Sequence, residues 1–211
     1  MWVIKLGGSL LGAPELQSWL NVIATHADGK VIVVPGGSVF ADAVRDAQQI
    51  SQINDVVAHQ LALLAMDQYG LLLAGLHTDF VTASSELEIA ERSWQHRPII
   101  WLPSKMVLYD EKIPQNWDVT SDSLSAWLAT KLGAKHLVLV KSKPLESAQN
   151  VMTLDDLPFD LLDAQFEHFA NGQPYQSWIT HASQSHLFEN GFDEATETLA
   201  KHAVLLGLNK S

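Results

Sequence analysis

An α/β fold on an open, mainly parallel sheet, with helices on both faces, is what this sequence predicts. Two observations carry it. Short β-branched runs alternate with amphipathic stretches, and the runs are apolar almost throughout, as strands buried on both faces must be. Paired glycines also follow two of these runs, where strand-to-helix turns belong.

The first strand is expected at 3–6, before Gly7-Gly8. A helix then starts near Pro14, whose fixed φ suits a first turn, with Leu16, Trp19, Leu20 and Ile23 on one face. Residues 30–34 are a nearly all-apolar strand that stops at Pro35-Gly36-Gly37. Segments 39–49 and 55–69 read as helices, the second offering Val56, Leu63, Leu64 and Met66 to the core. Strands are expected at 99–102 and 137–140, separated by a helix from about Ser123 to the capping Gly133. After 150 the pattern weakens to a helix at 160–169, a strand at 178–180, and a helix or strand pair from 192. No repeat, low-complexity tract or linker divides the 211 residues, so one domain (1–211) is expected.

Composition narrows the function. No apolar run approaches the ~20 residues of a membrane span. The N-terminus also lacks the basic start and long apolar stretch of a signal peptide. Cysteine is absent, which removes disulfide and thiolate chemistry. A cytoplasmic protein without a membrane partner is the expectation. The formal charge of −11 argues against nucleic acid, which needs a cationic face. An anionic small molecule fits only where lysines and backbone amides gather in one place.

Three segments offer such a place. Lys5-Leu6-Gly7-Gly8-Ser9 and Pro35-Gly36-Gly37-Ser38 lie at strand ends, where ligands of open α/β sheets bind. Glycine lets backbone N–H groups approach an anion, and a helix N-terminus behind the turn adds partial positive charge. Each pair alone reads first as an ordinary tight turn, and the lysine precedes the glycines, unlike the Walker arrangement. The third segment, Thr120-Ser121-Asp122-Ser123-Leu124-Ser125, is an N-cap signature that stabilises a helix by ~1 kcal/mol. The same geometry sets a carboxylate beside a phosphate cradle.

In this order and spacing, the segments resemble the amino acid kinase family over about residues 1–140. Phe40-Ala41-Asp42 and Arg45 extend the likeness of the second glycine loop. The resemblance implies a three-layer αβα sandwich in which ATP and an acceptor meet across the sheet, with Mg²⁺ bridging the ATP phosphates. It places Lys5 at the transferred phosphoryl group, with Asp122 organising the lysines. It assigns Gly7, Gly8 and Ser9 to ATP, and Gly36, Gly37, Arg45 and Ser121 to the acceptor. Homodimers are frequent in the family, so a homo-oligomer is expected.

Within the family, two subgroups stand out. Isopentenyl phosphate kinases use a histidine on the helix after the second glycine loop, where this chain has His59 in line with Leu63 and Met66. Read from the residues alone, a lone histidine on such a face is more often a core or surface group. The aminomethylfuran phosphate kinases of methanofuran biosynthesis are similarly short. They are similar at Leu102-Pro103-Ser104-Lys105 and from Trp117 to Ser125, which implies a phosphomonoester acceptor converted to a diphosphate. Lys105 becomes a candidate acceptor contact, set against a plain solvated lysine after a strand.

The chain departs from the family after its fourth strand. Thr-Asp-Val-Asp-Gly gives way to Lys141-Ser142-Lys143-Pro144-Leu145. Lys141 and Lys143 are expected to neutralise the ATP tail, or else the nucleotide site is weakened. His181 and His186 are five apart, not at the i,i+4 spacing of helical metal ligands, so no metal site is expected. Two alternatives stay open. One is a kinase for a carboxylate acceptor, which Arg45 would bind equally well. The other is a binder that keeps the fold without turnover.

Overall fold

The computed structural model describes residues 1–145 and 150–208. The apolar runs form strands β1 (Trp2–Leu6), β2 (Val31–Pro35), β3 (Val81–Ala83), β4 (Ile99–Trp101), β5 (His136–Lys141), β6 (Val151–Met152), β7 (Gln176–His181) and β8 (Val204–Leu206). Among the described residues they make one sheet, ordered β3-β4-β2-β1-β5-β7-β8-β6. Every pair is parallel except β7–β8. The helices are α1 (Pro14–His26), α2 (Ser38–Ser51), α3 (Asp55–Leu76), α4 (Glu86–Trp94), α5 (Ser104–Val107), α6 (Ser121–Lys131), α7 (Phe166–Ala170) and α8 (Ala195–His202).

Side-chain alternation decides what each face of the sheet meets. Trp2, Ile4 and Leu6 of β1 join Val138 and Val140 of β5 in a core closed by Trp19, Leu20 and Ile23 of α1. Val3 of β1 and Leu137 and Leu139 of β5 face the opposite core, closed by Leu124, Trp127 and Leu128 of α6. The period of two therefore turns Lys5 toward α6. β5 pairs with β1 so that Leu139 lies beside Lys5, and Lys141, two residues on, shares that face. One face of two neighbouring strands thus delivers two lysines to the same helix. β1 lies between β2 and β5, so the chain leaves β1 first to one side and later to the other. That is the topological switch point at which open α/β sheets bind ligands.

Several expectations need correction. The helix expected at 55–69 runs on to Leu76. Its mean hydropathy reaches 1.3, so by length and composition it is apolar enough to cross a membrane. Here it is a layer helix whose Ala58, Leu63, Met66, Tyr69 and Leu73 are buried. Val56 and Leu64, expected in the core, point outward. The long stretch before residue 99 that lacked any expected element holds β3 and α4. Helix α6 begins at Ser121 and ends at Lys131, two residues earlier at each end than expected. The helix expected at 160–169 is only Phe166–Ala170. Asp160 and Asp163 ahead of it spend their side chains on Lys143 and on α6. The ambiguity after 192 resolves as a helix followed by a strand, α8 and β8.

Candidate active site

Lys5, Asp122 and Lys141 converge at the switch point. Asp122 sits in the first turn of α6 and is 5% exposed. Lys141 Nζ donates to its Oδ2 at 2.7 Å. Lys5 Nζ lies 3.0 Å from its Oδ1, within ion-pair distance. That oxygen has no aligned hydrogen-bond donor among the described residues, so Lys5 holds it chiefly as an ion pair. Burial alone would raise the Asp122 carboxyl, but the two ammonium groups outweigh it and hold it below the usual range. Lys141 is pushed down to about 8, first by burial and next by Lys5, against the pull of Asp122. A carboxylate held ionised by two ammonium groups is a poor base. It is suited to hold two cations in register.

The two glycine turns interlock above this cluster. A Cβ on Gly8 would collide with the Ser38 backbone, and one on Gly36 with the Gly8 amide. The Gly36 amide is already spent on Leu6 O, at 2.9 Å. It ties the ends of β1 and β2 and is not available to a ligand. The Gly7 and Gly37 amides have no acceptor among the described residues. Ser38 opens α2 at φ 53°, the left-handed region, and its hydroxyl donates to Gly8 O at 3.2 Å. A non-glycine residue held there marks a turn fixed by its surroundings. Lys5 Nζ lies 3.5 Å from where a Gly7 Cβ would stand, so the ammonium and the first turn share one spot. Ser9 donates to the Ser142 hydroxyl at 3.0 Å, joining that turn to the loop after β5.

The close approach is testable. Gly8→Ala should cost about 1–3 kcal/mol, because the atoms it meets are backbone and cannot step aside. The change reads as a lower urea midpoint with unchanged slope. Gly75→Ala on α3, where a Cβ meets nothing within 4 Å, should show no such loss.

Beside the cluster lies a cavity of about 500 Å³, lined by Gly8, Gly37, Arg45, His59, Trp117 and Ser121 and walled by Leu63, Met66 and Leu124. Arg45 stacks over the Trp117 ring at 4.4 Å. Trp117 is fixed in turn by donating Nε1–H to Gln48 at 2.7 Å. His59 is 4% exposed, and its Nδ1 lies 3.1 Å from the Asn116 carbonyl. A carbonyl only accepts, so Nδ1 carries the hydrogen and Nε2 is a bare acceptor. Nε2 is buried without a partner among the described residues. Burial lowers the His59 pKa, and the ring is neutral at neutral pH.

The structure thus brings together Lys5, Gly7, Gly8, Ser9, Gly37, Arg45, His59, Ser121, Asp122 and Lys141. Two expected residues stand apart. Lys105 is exposed and outside the cavity lining, and its charge reaches Glu88 of α4. Lys143 is exposed and pairs with Asp160 at 3.1 Å. Both lie outside the strands: Lys105 is in α5, and Lys143 follows the end of β5. Trp117 and Gln48, as the support of Arg45, were not foreseen, since nothing local marks an indole as a platform. Among the described residues no group of His, Asp or Glu is arranged to hold a metal ion. Asp122 is already taken by two ammonium groups, so the residues present do not fit a resident metal.

Sheet order, crossed glycine turns and a lysine-bridging aspartate define a phosphate-handling α/β protein of the amino acid kinase type. The chain belongs to the amino acid kinase family, whose pattern it matches over residues 1–144. It is similar to (5-(aminomethyl)furan-3-yl)methyl phosphate kinase of Methanocaldococcus jannaschii, at 31% identity over 141 residues. That match covers 66% of this chain and 64% of the relative's length. Among solved structures, uridylate kinase from Archaeoglobus fulgidus superposes with a TM-score of 0.68 at 13% identity, covering 98% of this chain and 99% of that one. UMP kinase from Ureaplasma parvum gives 0.68 at 14% identity, with 97% of each chain covered. Aspartate kinase from Synechocystis gives 0.68 at 15%, covering all of this chain and 40% of that one. At these identities the solved structures speak for the fold alone.

Proposed function

We propose that the protein is a kinase that moves the γ-phosphoryl group of ATP onto a small phosphomonoester. The observation that carries this reading is the buried Lys5–Asp122–Lys141 cluster beneath two interlocked glycine turns. Phosphoryl transfer asks a protein mainly for positioning and for charge on the equatorial oxygens. Lys5, which stands next to the first glycine turn, and the Gly7 amide face the phosphoryl group in flight. Lys141 meets the nucleotide side from the end of β5, where the family pattern has threonine. The acceptor oxygen attacks the γ-phosphorus, the bond to the β,γ-bridging oxygen breaks, and ADP leaves with that electron pair. A phosphate-oxygen nucleophile is already anionic, so no base is required, in accord with an Asp122 held ionised by its lysines. The nucleotide enters as MgATP, its metal carried by the phosphates, and no step is assigned to a metal held by the protein.

The acceptor pocket supports a phosphate on a small apolar body. Arg45 and His59 supply polar contacts, and the aliphatic walls suit a flat ring. The finer reading is an aminomethylfuran phosphate converted to its diphosphate, supported by the name of the Methanocaldococcus relative. The same reading places the enzyme in the cytoplasm as a homo-oligomer, for which Leu61, Leu64 and Leu71 on α3 expose an uncharged face.

The test is ADP release with MgATP and a panel of aminomethylfuran phosphate, isopentenyl phosphate and glutamate. Turnover on the phosphates supports the proposal. Turnover on glutamate alone, or ligand binding by calorimetry with no turnover on any acceptor, would overturn it.

His59 gives a sharper test. A phosphate dianion offers only acceptors, and the neutral His59 Nε2 is also an acceptor. Binding must therefore bring a proton onto the ring or onto the phosphate. The sign follows: acceptor KM falls as pH falls and rises as pH climbs past neutrality. His59→Ala should raise acceptor KM about tenfold with little change in kcat and flatten that dependence. An unchanged KM would remove the reason for choosing a phosphomonoester.

A further inference from the structure

We propose that Asp163 is a positioning residue: it locks the first turn of α6, and so Asp122, over the two lysines. The inference rests on the kinase reading above but stands on geometry of its own, from a part of the chain beyond the family match.

Thr120, the N-cap of α6, makes no side-chain cap bond within its own helix. Its hydroxyl turns outward instead and donates to Asp163 Oδ2 at 2.8 Å. The same oxygen accepts the Thr120 amide at 3.0 Å and the Ser123 amide at 2.9 Å. Oδ1 accepts the Ser123 hydroxyl. One carboxylate thus takes four donors from both sides of Asp122 and performs, from 43 positions away, the capping a local Thr or Asp normally performs. A negative group at this end also complements the helix dipole.

The four bonds hold Thr120 and Ser123, on either side of Asp122, so they set where its carboxylate meets Lys5 and Lys141. The electrostatics point the same way, with Asp163 the weaker of the two charges that favour the ammonium form of Lys141. Among the described residues, the charges that act on Lys141 are Lys5 of β1, Asp122 of α6 and, weakest, Asp163 from the turn before α7. Only Asp122 pairs directly with the two lysines. Asp122 alone would leave the cluster with one uncompensated positive charge, and the depressed Lys141 would be the group to shed a proton. Asp163 joins charge balance and helix placement in one side chain.

The experiment titrates Lys141 itself, so it does not depend on turnover. Lysines are reductively ¹³C-methylated, the Lys141 resonance is assigned with Lys141→Arg, and its pH titration is followed in wild type, Asp163→Asn and Phe166→Leu. Phe166 is a buried residue of α7 packed in the core with α6, so Phe166→Leu loosens the same segment while keeping the charge. The expected result is a midpoint about 0.5–1 pH unit lower in Asp163→Asn and unmoved in Phe166→Leu, although both melt earlier. If wild type turns over, the basic limb of its kcat/KM profile should move with the midpoint. An unshifted Lys141 titration in a folded Asp163→Asn would reduce Asp163 to a cap and overturn the proposal. Should Asp163→Asn fail to fold, Asp163→Glu, which keeps the charge on a longer arm, must hold the wild-type midpoint; a shifted midpoint there overturns it equally. Absence of turnover in wild type would bear on the kinase reading and leave this titration intact.

Discussion

Asp122→Asn is expected to lower kcat by about ten- to a thousandfold while circular dichroism reports an intact fold. The substitution keeps the size of the side chain and removes its charge. Lys5 and Lys141 then face each other in a buried site without the anion that Asp122 places at 3.0 Å and 2.7 Å. Their repulsion separates them, and Lys141, already pushed down to about 8, gives up its proton more readily. Both effects withdraw positive charge from where the phosphoryl oxygens develop theirs. The loss should be partly recovered at lower pH, since acid returns the proton to Lys141. Recovery at higher pH instead would mark Asp122 as a base and contradict its assignment as organiser. Measuring kcat against pH for wild type and variant decides between them.

Lys5→Ala should produce a loss of similar size, about ten- to a thousandfold in kcat, with a smaller change in acceptor KM. Lys5 pairs with Asp122 at 3.0 Å and is the cation that stands next to the Gly7 turn. Its charge is therefore the one placed to follow the phosphoryl group between donor and acceptor. An interaction made only in flight shows in kcat, whereas one made equally in the ground state shows in KM. The cavity left by the alkyl chain should admit a small alkylammonium ion, and added ethylamine should restore part of the rate. A variant that keeps wild-type kcat and loses only acceptor affinity would place Lys5 in binding rather than in transfer.

How much of this was legible in the sequence follows from the physics of each element. β1, β2, β5 and the glycine turns announced themselves because a doubly buried strand is apolar at every position and a sharp turn needs glycine. Strand β3 and helix α4 were missed, yet a signal existed: Ser85 accepts the Glu88 amide, and Glu88 in return accepts from the Ser84 amide and hydroxyl. That variant of a cap, with Glu88 reaching back one residue past the N-cap, is written as Ser-Ser-Glu-Leu-Glu. β6 and β8 were beyond reach, since strands of two and three residues gain their identity only from distant partners. Val56 and Leu64 mislead because apolar residues on a long helix do not reveal which side the sheet lies on.

The site divided along the same line. Lys5, Asp122 and the glycines were visible because their neighbours in sequence are also their neighbours in space. The joining of Lys141 to Asp122 depends on strand register and could only be seen in the fold. Asp163 is locally no different from Asp155, Asp156 or Asp160. Only its four donors on α6 and in the preceding turn set it apart.

One measurement bears most directly on the central claim that this charge cluster joins two phosphates. Phosphorus NMR of the protein with MgATP and aminomethylfuran phosphate should show the single acceptor resonance replaced by two coupled diphosphate resonances as ADP accumulates in equal amount, with Asp122→Asn slower by the factor given above. ATP left unchanged, or ADP appearing with free inorganic phosphate while the acceptor stays intact, would contradict the account.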